Sequence, residues 1–149
     1  MLRFTNMLFA LLALPLLAAA SVEKPIEVSW ATLAQVSFER KYLEDEELTQ
    51  WIPNFSDDVM ALSGYKIQIS GYVIPVDVDA DYFVLSSNPF ASCFFCGGAG
   101  PETVMDLRLR KDGKRFRTDE YHTFSGTLRL NADNIYELNY ILENAELED

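Results

Sequence analysis

From Tyr65 onward the chain repeats one pattern, short alternations of apolar and polar residues ended by turns, with no long amphipathic helix between them. Ile67, Ile69 and Val73 share one parity while Lys66, Gln68 and Ser70 share the other. That is the period of a strand with one buried face. Gly71 interrupts where a strand bends or bulges, and Pro75 pushes the strand toward an end or an edge. The run 77–81, Asp-Val-Asp-Ala-Asp, reads as a turn before the buried-looking strand Tyr82-Phe83-Val84-Leu85. Further on, Met105, Leu107 and Leu109 alternate with Asp106, Arg108 and Arg110. Asp112-Gly113 then predicts a hairpin turn, because that pair tolerates positive φ. Phe124, Gly126, Leu128 and Leu130 line one face of the next strand, and the segment from Tyr136 to Leu147 supplies the last. The pattern thus predicts five strands, at 65–76, 81–86, 103–110, 121–130 and 138–147. Five strands with glycine-marked bends predict a mainly β domain, a small five-stranded Greek-key barrel of the oligonucleotide/oligosaccharide-binding (OB) type. A small open sandwich is the alternative.

Upstream of the barrel the sequence predicts an extension. Ser29 is placed to cap one or two helical turns through Trp30, Leu33 and Ala34. The segments 36–42 and 48–55 read as a two-stranded excursion around the acidic run Glu44-Asp45-Glu46-Glu47. Residues 1–20 read as a targeting segment: Arg3 supplies the positive start, Met7 to Leu17 the apolar run, and Ala18-Ala19-Ala20 the small-residue pattern for a cut before Ser21. The apolar run falls short of the roughly 20 residues a membrane span needs. Retention as an anchor is the alternative to cleavage. No later stretch is apolar enough to span, and no domain boundary follows Ser21, so residues 21–149 are expected to form a single domain, periplasmic or secreted.

Without residues 1–20 the chain keeps 11 Lys+Arg against 23 Asp+Glu, a net charge of −12. Nucleic-acid binding rests on neutralising phosphates with cations, so nucleic acid is not an expected partner. The same balance keeps a protein soluble and suits a cationic partner. Six bases gather at Arg108, Arg110, Lys111, Lys114, Arg115 and Arg117. They could meet phosphate, an anionic membrane surface or an acidic partner, but a solvated hairpin looks the same.

The chemistry the sequence offers is concentrated in Cys93-Phe94-Phe95-Cys96-Gly97-Gly98, inside a long loop from Ser86 to Pro101. Only two cysteines are present, so this is not a disulfide-stapled scaffold. In an oxidising compartment the pair is bridged, metal-bound or redox-active. Two thiolates at this spacing can grip one metal ion, zinc first, and a structural zinc site wants four ligands. His122, the only histidine, and Glu102 are the candidates to complete it, with Asp106 close behind the loop; two chains could instead pool their pairs. The redox alternative uses the same sulfurs, but Gly97-Gly98-Ala99-Gly100-Pro101 is poor helix material, and a helix N-terminus is what usually lowers a thiol pKa. A plain loop-closing Cys93–Cys96 disulfide is the third reading. Phe90, Phe94 and Phe95 either pack beneath the loop or form an apolar recognition surface, and Gly97 and Gly98 allow close backbone approach. The 77–81 run hints at calcium but has Tyr82 and Asn88 where an EF-hand needs Gly and Glu. Walker, dinucleotide, nucleophile-elbow and zinc-protease motifs are absent from the sequence, which makes an enzyme the weaker expectation.

Several stretches together resemble the DUF3299 family of uncharacterised bacterial exported proteins. They are Gly71-Tyr72-Val73-Ile74-Pro75, Tyr82-Phe83-Val84-Leu85, the segment 88–102 holding both cysteines, Phe124-Ser125-Gly126-Thr127-Leu128-Arg129-Leu130, and Tyr140-Ile141-Leu142-Glu143-Asn144-Ala145. The resemblance runs over nearly all of the chain from Trp30, and the cysteine loop is its most specific part. It implies export and an OB-like barrel, and it assigns no activity. The expectation is therefore an exported binding or accessory module, its cysteine loop the working surface. A thiol–disulfide protein and a purely structural subunit of an envelope complex are the alternatives.

Overall fold

The computed structural model describes residues 24–44, 47–77, 82–111 and 114–148. The targeting segment 1–20, most of the 77–81 turn, Asp112-Gly113, and Asp45 and Glu46 of the acidic tip lie outside the described residues. In chain order the elements are β1 (Ile26–Glu27), α1 (Trp30–Leu33), β2 (Val36–Leu43), β3 (Leu48–Phe55), α2 (Asp57–Met60), β4 (Lys66–Asp77), β5 (Tyr82–Ser86), β6 (Val104–Leu109), β7 (Glu120–Leu130) and β8 (Tyr140–Glu148). Three single 3-10 turns, Phe90–Ser92, Phe94–Cys96 and Pro101–Thr103, lie between β5 and β6.

The five expected strands close into a barrel in the order β4-β5-β6-β8-β7 and back to β4. Every neighbouring pair is antiparallel except β6–β8, which is parallel. This is the Greek-key closure of an OB-like barrel. Closure depends on the length of β4. Its first part, Lys66 to Val73, pairs with β7, and its second part, Tyr72 to Asp77, pairs with β5. Gly71 sits just before this change of partner, and a Cβ there would come within 2.6 Å of the Ser86 carbonyl oxygen. Gly71 thus admits a close backbone approach, not the expected break: it pairs in register with His122, and the irregularity in β4 falls between Pro75 and Asp77.

The alternation read from sequence places the core. Ile67, Ile69, Val73, Phe83, Leu85, Met105, Leu107, Phe124, Leu128, Tyr140 and Leu142 are buried together inside the barrel. Each such side chain stabilises the fold by about 1.5–3 kcal/mol relative to exposure. Leu33 of α1 and Val59 of α2 join the same cluster. Ser29 caps α1 as expected, its Oγ accepting from the Thr32 N–H at 3.2 Å. Two further bonds dock α1: Trp30 Nε1 donates to Ser70 O at 2.8 Å, and Tyr140 Oη donates to Leu33 O at 2.6 Å. The one-turn α2, capped by Ser56, shows no period in the sequence because four residues are too few to display one.

The β2–β3 hairpin forms a separate two-stranded sheet, in register from Val36↔Phe55 to Leu43↔Leu48. Phe55 roots it against Tyr140, with ring centroids 5.6 Å apart. Farther out, Tyr42, Leu48 and Trp51 remain exposed. Among the described residues no helix is long and apolar enough to cross a membrane.

Candidate functional site

The segment between β5 and β6 is held down along its length. At its neck the Ser87 N–H donates to Thr103 O at 2.9 Å, and farther along the Phe90 N–H donates to Asp119 Oδ1 at 2.7 Å. Cys93 begins the turn Phe94–Cys96, and its carbonyl accepts from the N–H groups of Cys96 and Gly98, each at 3.2 Å. Gly97 ends that turn at φ 74°, a left-handed conformation that favours glycine. The tight turn requires these glycines, as the sequence allowed.

The two cysteines are not equivalent. Cys93 is fully buried and packs on Ile74, Val84 and Val104, with Phe94 and Leu138 against the same cluster. Ile74, Val84 and Val104 carry the opposite parity to the barrel core, so this second cluster lies on the outer face of β4, β5 and β6. Cys96 is exposed. The two residues are 4.3 Å apart, and both are free thiols. Local desolvation at the turn, and then the neighbouring Cys93, push the Cys96 thiol above its ordinary range even though the residue is open to solvent. A three-residue 3-10 turn offers no helix dipole to oppose that. The two cysteines therefore share one turn, one buried and one open to solvent.

The other predicted ligands lie elsewhere. His122 has the parity of Phe124 and packs edge-on to Phe116 and Phe124, both core residues, with its Nε2 3.5 Å from Glu120 Oε2. The barrel wall thus divides its ring from the cluster that holds Cys93. Glu102 folds back over Gly100. Among the described residues no three His, Cys, Asp or Glu side chains converge as a metal site.

Sequence reasoning missed what faces the loop. Phe94 and Pro101 meet Phe38 of β2 and Trp51 of β3 across an apolar cleft of about 200 Å³. Only the folded position of the hairpin beside the barrel brings these side chains to one cleft. Phe95 stacks edge-on to Phe94 at 5.7 Å yet remains 47% exposed, and Phe90 remains 44% exposed. The rings therefore do both things allowed for them: Phe94 packs, while Phe90 and Phe95 face outward.

Asp106 was read on the polar face of β6, and it is buried there under the β7–β8 connection. It accepts from Tyr82 Oη at 2.9 Å and from the Leu138 N–H at 3.4 Å. Burial raises the Asp106 carboxyl, and burial with the adjacent carboxylate pushes the Tyr82 phenol up to about 12. Three of the six bases in the basic run are matched from within: Arg108 meets Glu137 and Glu143, Arg110 meets Glu146 at 2.9 Å, and Arg117 meets Glu120 at 3.0 Å.

No family model and no curated protein matches the chain. Among solved structures it is similar to a DUF3299 family protein from Pseudomonas aeruginosa PAO1, with a TM-score of 0.52 over 85% of this chain and 98% of that one. Sequence identity is 14%, so the likeness is one of fold. The chain is thus built on the fold of a DUF3299 family protein, as the resemblance carried by its strands and cysteine loop implied.

Proposed function

We propose that the chain is an exported protein, periplasmic or secreted, that works as a binding or accessory module and not as an enzyme. Its working surface is the loop from Ser87 to Thr103, and the ligand of that loop is a thiophilic metal ion. One observation carries this reading: two free thiols 4.3 Å apart on a single turn, one anchored in an apolar cluster and the other open to solvent. The anchored sulfur fixes the position, and the open one gives access. A zinc ion on this pair needs two further ligands. His122 and Glu102 would have to move to supply them, or the loop of a second chain would bring its own pair. The apolar cleft beside the turn supports a neighbouring protein surface, such as an envelope complex, as the partner.

The test is the metal content and thiol state of protein purified from the periplasm without chelator. Bound metal with two protected thiols is the expected result. The 4.3 Å separation also favours a second reading, thiol–disulfide exchange. A metal-free and readily reduced disulfide would establish it, because strained, exposed bridges are the reducible ones. A metal-free bridge that resists mild reductant would leave only a structural loop closure.

A further inference from the structure

We propose that Cys93 and Cys96 bind one Cu(I) ion through their two sulfur atoms and no other ligand. This rests on the reading of the pair as a thiophilic metal site and names its ion. The argument begins with ligand count. The turn supplies two sulfurs, and among the described residues no third His, Cys, Asp or Glu converges on them. Zinc in a structural site takes four ligands, so two leave it half-coordinated. Soft thiolate ligands favour Cu(I) and zinc alike among the first-row ions, and of the two it is Cu(I), a d¹⁰ monovalent ion, that two thiolates can satisfy without further ligands.

The surroundings point the same way. Cys93 is enclosed by Ile74, Val84, Val104, Phe94 and Leu138, none of which carries a side-chain oxygen or nitrogen. These side chains offer no hard donor, and with Cys93 fully buried among them water is excluded from one side of the pair. His122 is held on the other face of the barrel wall by Phe116 and Phe124. The backbone sets the turn before any metal arrives: the Cys93 carbonyl accepts from both the Cys96 and the Gly98 N–H groups, which closes it.

Accessibility then gives the site a direction of use. Because Cys96 is exposed and Cys93 is not, an incoming thiolate from another protein meets the ion on the Cys96 side. Each thiol releases its proton to solvent as its S–Cu bond forms and takes one back when that bond breaks, so exchange of one sulfur for another moves Cu(I) with no change of oxidation state and needs no oxidant or reductant. The chemistry therefore fits a carrier that hands Cu(I) to a thiol-bearing partner.

The experiment uses the full reduced chain under anaerobic conditions. Cu(I) is titrated against a chromogenic Cu(I) chelator, Zn(II) is titrated in parallel, and X-ray absorption at the copper edge counts the ligands. The expected result is one Cu(I) per monomer with two sulfur neighbours. Cys96→Ser should weaken binding by more than about 100-fold, beyond what loss of an outer-shell contact costs, while leaving the fold intact. Cys93→Ala should do the same without burying a hydroxyl, and His122→Ala and Glu102→Gln should leave affinity unchanged. Nitrogen or oxygen ligands at copper, a four-sulfur site in a dimer, or loss of binding on His122→Ala would each overturn the proposal. Preferential retention of zinc would sink the Cu(I) assignment and leave the thiophilic-metal reading standing. Retention of neither ion by protein with both thiols free would sink both.

Discussion

The asymmetry of the cysteine pair makes one prediction that reaches both stability and chemistry. The same substitution, Cys→Ser, should have unequal consequences three residues apart. At position 93 the new hydroxyl would be fully buried among Ile74, Val84 and Val104. These side chains offer no acceptor, and burying a hydroxyl without a partner costs about 1–3 kcal/mol on mutational scales. For a domain of this size each kcal/mol lowers Tm by roughly 3–5 °C, so Cys93→Ser should lose about 3–15 °C. At position 96 the side chain is exposed, and the change should stay within about 0.5 kcal/mol. Thermal and urea unfolding of the two variants against the wild type measure the difference. An aromatic disulfide reagent provides the chemical arm: in native protein it should modify Cys96 rapidly, and Cys93 only as fast as the loop opens. Equal destabilisation by the two variants, or equal labelling rates of the two thiols, would refute the burial argument. It would also remove the anchored-and-open geometry on which the functional reading stands. The same arithmetic cautions against a double Cys→Ser variant as a test of function, since lost activity would then include lost fold.

Tyr140→Phe removes the donor to Leu33 O and leaves a buried carbonyl without its partner, so it should cost about 1–3 kcal/mol, seen as a lower urea midpoint with unchanged slope. Arg129 and then Arg108 hold the Glu137 carboxyl down from 4.5 to about 2. A depressed carboxyl gives stability that is present above its unfolded pKa and lost as pH falls through the folded one. Wild type should therefore weaken between about pH 4.5 and pH 2, and Glu137→Gln should flatten that limb in urea midpoints measured against pH. Asp106→Ala should bring the Tyr82 phenol part of the way from about 12 toward 10, read by ultraviolet pH titration; burial, the larger cause of the shift, should keep it from returning fully. An unchanged Tyr82 titration would show that the carboxylate does not act on the phenol.

The five barrel strands were legible in the sequence because a strand with one buried face writes its burial as a period of two. The parity of Ile67, Ile69 and Val73 needed no partner strand to be read, and neither did the Ser29 cap or the turn-forming glycines after Cys96. These are local facts, set by each residue's own φ/ψ preference and the pattern beside it. Parity does not say what lies over the polar face. Asp106 shares its pattern with Arg108, yet one is buried under the β7–β8 connection and the other is exposed, since only the folded chain brings Leu138 across one of them. In the same way the glycines after Cys96 made a tight turn carrying both sulfurs legible in the sequence. Tertiary structure alone decided that Cys93 would point into the outer apolar cluster, that His122 would stand behind the barrel wall, and that Phe94 would meet Trp51 of a distant hairpin. The reason is physical: those contacts join residues far apart along the chain, and their energies are realised only once the barrel has closed and fixed which face of each strand points where.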